Sequence, residues 1–230
     1  IYPLTFNQRI DGMGAVKDYV LTNNTTKPLK YQIELENSKE KLDMTQWSEI
    51  YPKAVMLKPG EKKEIKIYIR SPRETKVGEY STILNIKELE VPNEINRGKK
   101  VKVFTSLKVK LYGYVGKLDS SISLKELYIS KGESKKDFIM MGKVKNESLR
   151  RIEMEVVLKD SSKKKEYFIS EIKLKKNEEI ELSNLELLLD KIEITDKEYK
   201  KIDRVCFYEK ETGKLLKEES VRELRDEKGV

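Results

Sequence analysis

Apolar side chains fall at every second position through long stretches of this chain, a period that a strand satisfies and a helix does not. Leu29, Tyr31, Ile33 and Leu35 form one such run and Ile65, Ile67 and Ile69 another. With Val16 to Leu21, Tyr80 to Ile86 and Val101 to Leu111, the first half reads as about seven strands. Between them lie turns: Asn23-Asn24-Thr25-Thr26, and Leu57-Lys58-Pro59-Gly60-Glu61, where Pro fixes φ and Gly accepts φ > 0. Turn signals recur about every 10 residues, the spacing of an antiparallel sandwich rather than of strands alternating with helices. Leu185 to Ile194 stands apart, because the consecutive Leu187, Leu188 and Leu189 fit a buried strand or a helical turn equally.

Charged residues make up 38% of the chain and apolar ones 37%, a balance that borders on disorder and is rescued by the regular placement of the apolar residues. Histidine is absent, which removes the imidazole base, the Ser-His and Cys-His nucleophiles and histidine metal sites. The available carboxylate pairs, such as Glu178 and Glu179, sit on an exposed-looking turn, so no catalytic residues, no cofactor and no metal are expected. Cys206 is the single cysteine; it excludes an intramolecular disulfide and leaves the redox compartment open. No apolar run approaches the roughly 18 residues of a membrane span, so membrane insertion is not expected. The first residues are strand-like and carry no signal-peptide pattern, which fits a cytosolic chain or a mature secreted one.

The second half repeats the first. Asn146-Glu147-Ser148-Leu149 lies 123 positions after the Asn23 turn (146 − 23), and Ile152, Met154, Val156 and Leu158 then match Leu29, Tyr31, Ile33 and Leu35. Leu174 to Leu182 echoes the Pro59-Gly60 hairpin. The pattern predicts an all-β protein of two tandem sandwich domains, 1–116 and 117–230, with an inter-domain cleft and a seam near Gly113 to Lys117. The charged tail from Val221 onward is expected to fray.

Net charge is uneven. Residues 1–116 hold 21 Lys and Arg against 14 Asp and Glu, a surplus of +7, and residues 117–230 hold 27 against 26. No acid falls between Glu94 and Asp119, where Arg97, Lys99, Lys100, Lys102, Lys108, Lys110 and Lys117 concentrate. The strand in this stretch puts Val101, Val103, Thr105, Leu107, Val109 and Leu111 on one face and Lys102, Phe104, Ser106, Lys108, Lys110 and Tyr112 on the other. It reads either as a core strand with a solvated outer face or as an edge strand lending its ladder to another protein. A nucleic-acid surface needs more interleaved aromatics than Phe104 and Tyr112, so no nucleic acid is expected as a partner. Arg9, the only basic residue among the first 16, is either an ordinary surface arginine paired with Asp11 or Asp18 or a forked donor for a carboxylate.

The first 116 residues resemble the N-terminal domain of the periplasmic chaperones that assemble pili in Gram-negative bacteria, the PapD-like family. The resemblance is carried by Asn23, by Pro28, by Pro52 followed by Leu57-Lys58-Pro59-Gly60, by Gly78-Glu79-Tyr80-Ser81-Thr82-Ile83-Leu84-Asn85-Ile86 with its Glu79 and Asn85, by Pro92, and by Leu107-Lys108-Val109-Lys110-Leu111-Tyr112. Gly78-Glu79-Tyr80 stands where the family carries Arg-Glu-Ser, and the second half, with Asn146-Glu147-Ser148-Leu149, lacks the family's Asn-Pro-Thr-Pro turn.

The resemblance implies two immunoglobulin-like domains and a non-enzymatic role. Such a chaperone caps pilin or fimbrial subunits by filling, with its own strand, the groove where the subunit lacks one. It implies Val101, Val103, Thr105 and Leu107 as the donor residues, and Arg9 and Lys110 as anchors for the subunit's C-terminal carboxylate. It also implies a periplasmic location after signal-peptide removal, leaves room for an outer-membrane usher, and fits a free protein that is a monomer or a self-capped dimer. The main alternative is a structural or adhesive surface protein built of tandem Ig-like domains, which needs the strands and no carboxylate anchor.

Overall fold

Residues 1–91, 103–132, 134–162 and 165–223 are described by the computed structural model, and they form two compact units, Ile1–Lys117 and Leu118–Val230. In the first unit the strands are β1 (Asn7–Arg9), β2 (Ala15–Thr22), β3 (Leu29–Glu36), β4 (Ser48–Tyr51), β5 (Ala54–Leu57), β6 (Lys62–Ile69), β7 (Gly78–Leu89) and β8 (Ser106–Val115). They pair as a five-stranded sheet in the order β1-β8-β7-β3-β5 and a three-stranded sheet in the order β2-β6-β4. The alternation seen in the sequence is what seals the two together: Ile65, Ile67 and Ile69 of β6, Tyr19 and Leu21 of β2, and Ile33, Leu84, Ile86, Val109 and Leu111 of the larger sheet share one buried core. The chain changes sheet twice, at Tyr2-Pro3 and at Tyr51-Pro52, both cis: Tyr2 bridges Val20 while β1 runs parallel to β8, and β4 pairs with β6 while β5 pairs with β3.

The second unit contains β9 (Ile122–Lys131), β10 (Ile139–Asn146), β11 (Ile152–Asp160), β12 (Lys165–Leu174), β13 (Glu179–Glu181), β14 (Arg204–Glu209), β15 (Leu215–Ser220) and β16 (Arg222–Glu223). Its sheets are β13-β10-β9-β16 and β12-β11-β14-β15, again closed on a single apolar core. Both units are immunoglobulin-like sandwiches, and the protein is all-β. The ambiguous segment 185–194 is neither a strand nor a long helix: it holds the short 3-10 turn Leu189–Lys191, with Leu189 and Ile194 reaching into the core. Val221 to Glu223, expected to fray, is drawn back into the fold where β16 pairs parallel to β9.

The repeat is physical down to single hydrogen bonds. Asn23 and Asn146 are both fully buried. The Asn23 Nδ2 donates to Lys27 O (2.8 Å) and Leu57 O (3.1 Å), and its Oδ1 accepts from Thr25 N (2.9 Å). The Asn146 Nδ2 donates to Arg150 O (2.8 Å) and Lys175 O (2.9 Å), and its Oδ1 accepts from Ser148 N (2.8 Å). Each backbone N–H bonds the far hairpin, Asn23 N to Glu61 O and Asn146 N to Glu178 O. Those hairpins also match: Gly60 and Asn177 both take positive φ, 75° and 60°, and Glu61 and Glu178 each accept the N–H three residues back, from Lys58 and Lys175. Glycine and asparagine are the residues that tolerate this conformation.

A buried amide that satisfies three segments at once leaves several orphan groups when removed, each costing about 1–3 kcal/mol. Asn146→Ala should therefore lower the melting temperature far more than the exposed neighbour substitution Glu147→Ala, and Asn146→Asp should not rescue it, because a carboxylate cannot donate to Arg150 O and Lys175 O. Equal melting temperatures for the two alanine variants, read by differential scanning calorimetry, would remove the asparagine from its structural role.

Candidate partner-binding edge

Strand β8 pairs with β7 along its whole length, Gly78 opposite Val115 through Lys87 opposite Ser106. On its other side β1 covers only Tyr112 to Tyr114. Among the described residues no strand lies beside Ser106 to Leu111 on that side, so about 20 Å of edge stands open at roughly 3.3 Å per residue. The outward-facing groups follow from the pleat. Tyr112 N–H points away from β7, donating to Phe6 O (2.9 Å). By the period of two, the backbone groups of Lys110, Lys108 and Ser106 point the same way.

The apolar face of this strand runs out of its own core. Leu111 and Val109 are buried, at 0% and 7% exposure, but Leu107 is 42% and Val103 80% exposed, with Phe104 at 48%. β8 begins at Ser106, later than the strand expected from Val101, because the chain ahead of it is held differently: Thr105 bonds the Glu88 carboxylate through its N–H (3.1 Å) and its hydroxyl (2.6 Å). Val103 and Phe104 border a shallow pocket of about 190 Å³ with Pro28, Leu29, Leu89 and Val91. Val101 lies outside the described residues, as do Arg97, Lys99, Lys100 and Lys102.

The two expected anchors are each engaged by a carboxylate of this chain. Arg9, the last residue of β1 and exposed, forks onto Asp11, Nε to Oδ1 at 2.5 Å and Nη2 to Oδ2 at 3.0 Å. The hydrogen bond and charge of Asp11 raise the Arg9 guanidinium, and the same hydrogen bond holds the Asp11 carboxyl below its usual range. Lys110 Nζ bonds Glu40 and lies over the Tyr112 ring at 5.6 Å. Burial alone would lower the Lys110 ammonium, but Glu40 and Tyr112 together raise it. Arg9 stands opposite Tyr114 on the neighbouring strand, four residues along from Lys110, so the two cations are about 14 Å apart at their backbones. In this structure each cation is held by a different carboxylate.

Lys108, the other described cation of this face, is matched in the same way, which the sequence did not reveal. Lys108 Nζ bonds Glu36 (2.6 Å), Lys87 bonds Glu34 and sits 3.5 Å from Glu36, and the buried Asn85 joins them by bonding Glu36 and accepting from Ser106 Oγ (2.9 Å). Hydrogen bonds from Lys108 and Asn85 pull the Glu36 carboxyl down to about 2. The signal was present as the polar parity of β3, Glu34 and Glu36, but its meaning needs the register that sets Glu34 opposite Asn85 and Asn85 opposite Lys108. Among the described residues no group of three or more His, Cys, Asp or Glu side chains could hold a metal ion. Cys206 is buried, and burial pushes its thiol up to about 11, away from reactivity.

No family model and no curated protein matches the chain. Among solved structures it is similar to the Pseudomonas aeruginosa CupB2 chaperone, at 12% identity and a TM-score of 0.43 over 95% of this chain and 97% of that one. It is also similar to the E. coli chaperone DraB, at 9% identity and a TM-score of 0.44 over 96% and 94%. A third is a structure of the Salmonella enterica SafA pilin in complex with the SafB chaperone, at 11% identity and a TM-score of 0.43 over 92% and 91%.

The depressed Glu36 carboxyl makes a signed prediction. Its stabilising contribution is complete above the ordinary carboxylate value of 4.5 and is lost as pH falls through about 2. The protein should lose melting temperature across that window, and Glu36→Gln should flatten the loss. An equally steep profile in the variant would show that other carboxylates carry it.

Proposed function

We propose that this chain is a periplasmic chaperone that captures pilus or fimbrial subunits, lends them β8 as a donor strand, and delivers them for assembly, with an outer-membrane usher as a second partner. The observation that carries this is the exit of the apolar face from its own core: Leu107 is exposed on β8, Val103 is exposed in the segment leading into it, and among the described residues no strand covers the β8 backbone from Ser106 to Leu111. Exposed apolar residues on an open edge suit a strand that completes another protein's sandwich, where the ladder supplies affinity and alternate side chains supply fit. Val101, Val103, Thr105 and Leu107 are the donor residues in this reading, and Arg9 and Lys110 receive the subunit's C-terminal carboxylate. The free protein is then a monomer or a pair of copies capping each other's β8. No catalysis is required of any residue.

Val103→Asp is the sharpest test, since a carboxylate inserted unpaired into an apolar groove is heavily penalised. The variant should keep the wild-type melting temperature, because Val103 is 80% exposed, yet fail to co-purify with a co-expressed pilin subunit. Arg9→Ala and Lys110→Ala should weaken capture as well. Undiminished capture by Val103→Asp would discard the donor strand and favour a surface protein of tandem Ig-like domains.

A further inference from the structure

The two anchors share an arrangement that goes beyond an ion pair. Asp11, which holds Arg9, also accepts the Gly116 N–H through Oδ2 at 3.0 Å. Glu40, which holds Lys110, also accepts the Ser81 hydroxyl through Oε2 at 2.7 Å. Each carboxylate therefore has a second donor from a different segment, and keeps its position when the cation swings away. A carboxylate held only by its cation would follow it.

We infer that Asp11 and Glu40 are resident carboxylates occupying Arg9 and Lys110, and that capture of a partner's C-terminal carboxylate proceeds by exchange against them. This rests on the anchor role proposed above for Arg9 and Lys110. Each cation gives up a resident carboxylate as it takes the newcomer, so the preference for a carboxylate terminus is reduced but kept, and most of the affinity is set by the rest of the strand. Because Asp11 and Glu40 stay fixed by Gly116 and Ser81, they remain close enough to take the cations back, which lowers the newcomer's affinity without abolishing it. The consequence is selectivity: a stray carboxylate without an apolar strand behind it cannot hold the site, and a partner terminus that brings a full strand can. A neutral resting pair also removes long-range attraction for acidic proteins at large.

The test uses the full chain and a short synthetic peptide of alternating valine and threonine, made with a free C-terminal carboxylate and as its C-terminal amide. Asp11→Asn retains an acceptor for the Gly116 N–H, and Glu40→Gln retains one for Ser81, so both variants should keep the wild-type melting temperature. Titration calorimetry should show the wild type preferring the carboxylate peptide, and each variant binding that peptide about 2- to 5-fold more tightly, the range of a partly exposed ion pair, with no change for the amide. Unchanged carboxylate affinity in both variants, alongside a wild-type preference for carboxylate over amide, overturns the exchange and leaves the anchors standing. No preference between the two peptides in any form overturns the anchors and the exchange together. Should Asp11→Asn lower the melting temperature, Glu40→Gln decides alone.

Discussion

The geometry of both sandwiches hangs on one buried side-chain amide in each. Asn23 closes the corner between β2 and β3 and, through Leu57 O and Glu61 O, ties that corner to the β5–β6 hairpin. It thus sets where β3 begins relative to β5 and β6. A strand with one buried face has no freedom to slip by a residue, because every side chain would change sides. The register passed to β3 places Ile33 opposite Ile86 in the core and Glu34 opposite Asn85 outside it. Asn146 does the same for β10 and β11 through Arg150 O and Lys175 O. A buried amide suits this task because its donors and its acceptor are all used, and a half-satisfied one is worse than none.

From that register follows the electrostatic character of the β8 face. Asn85 is fully buried although it lies on the outer side of its sheet, covered by the long side chains of Glu34, Glu36, Lys87 and Lys108. Each cation of the open edge has a carboxylate from a neighbouring element: Glu36 for Lys108, Glu40 for Lys110, Asp11 for Arg9. Such exposed pairs contribute little stability apiece. Their larger effect is to match the charges of Lys108 and Lys110, two of the seven basic residues in the acid-free stretch of the sequence. The second unit solves a harder problem with the buried Arg150–Glu209 pair, where Arg150 Nε also bonds Leu118 O at 3.0 Å. Burial raises the Glu209 carboxyl, and hydrogen bonds from Ser120 and Thr212 with the Arg150 charge outweigh it.

What the sequence reveals is local and periodic; what it conceals is pairing across the fold. Ile65, Ile67 and Ile69 announce a strand because burial on one face demands alternation, and all three are fully buried. The Asn23–Asn146 repeat is legible because a turn chemistry is written in contiguous residues. The ion ladder is not, since Glu36 and Lys108 are 72 positions apart and only the β3-β7-β8 order makes them neighbours. Nothing in the spacing of Arg150 marks it as a buried cation facing Glu209, 59 positions on. Likewise Arg9 was singled out as unusual, and its own carboxylate, two residues away, was among the partners considered; the fork onto Asp11 needed the bend after β1 to form.

The two units furnish the same topological strand differently, and this comparison bears most directly on the proposed role of the edge. β15 in the second unit, like β8 in the first, follows its hairpin partner and lies at or near a sheet margin. β15 carries Lys217, Glu218 and Glu219 in succession, and Glu218 is paired with Lys159. Charges of this kind are how a sandwich keeps other chains from adding to it. The corresponding stretch of β8 has Lys108 and Lys110 matched on the outer face, a backbone that no strand among the described residues covers from Ser106 to Leu111, and apolar Leu107 with the preceding Val103 at the surface. An edge needing only protection from aggregation would resemble β15. An edge to be covered by one kind of partner needs an apolar residue at its surface and backbone groups left to pair; among the described residues β8 has Leu107 exposed and no strand beside Ser106 to Leu111, which is why the proposed role falls on β8 and not on β15.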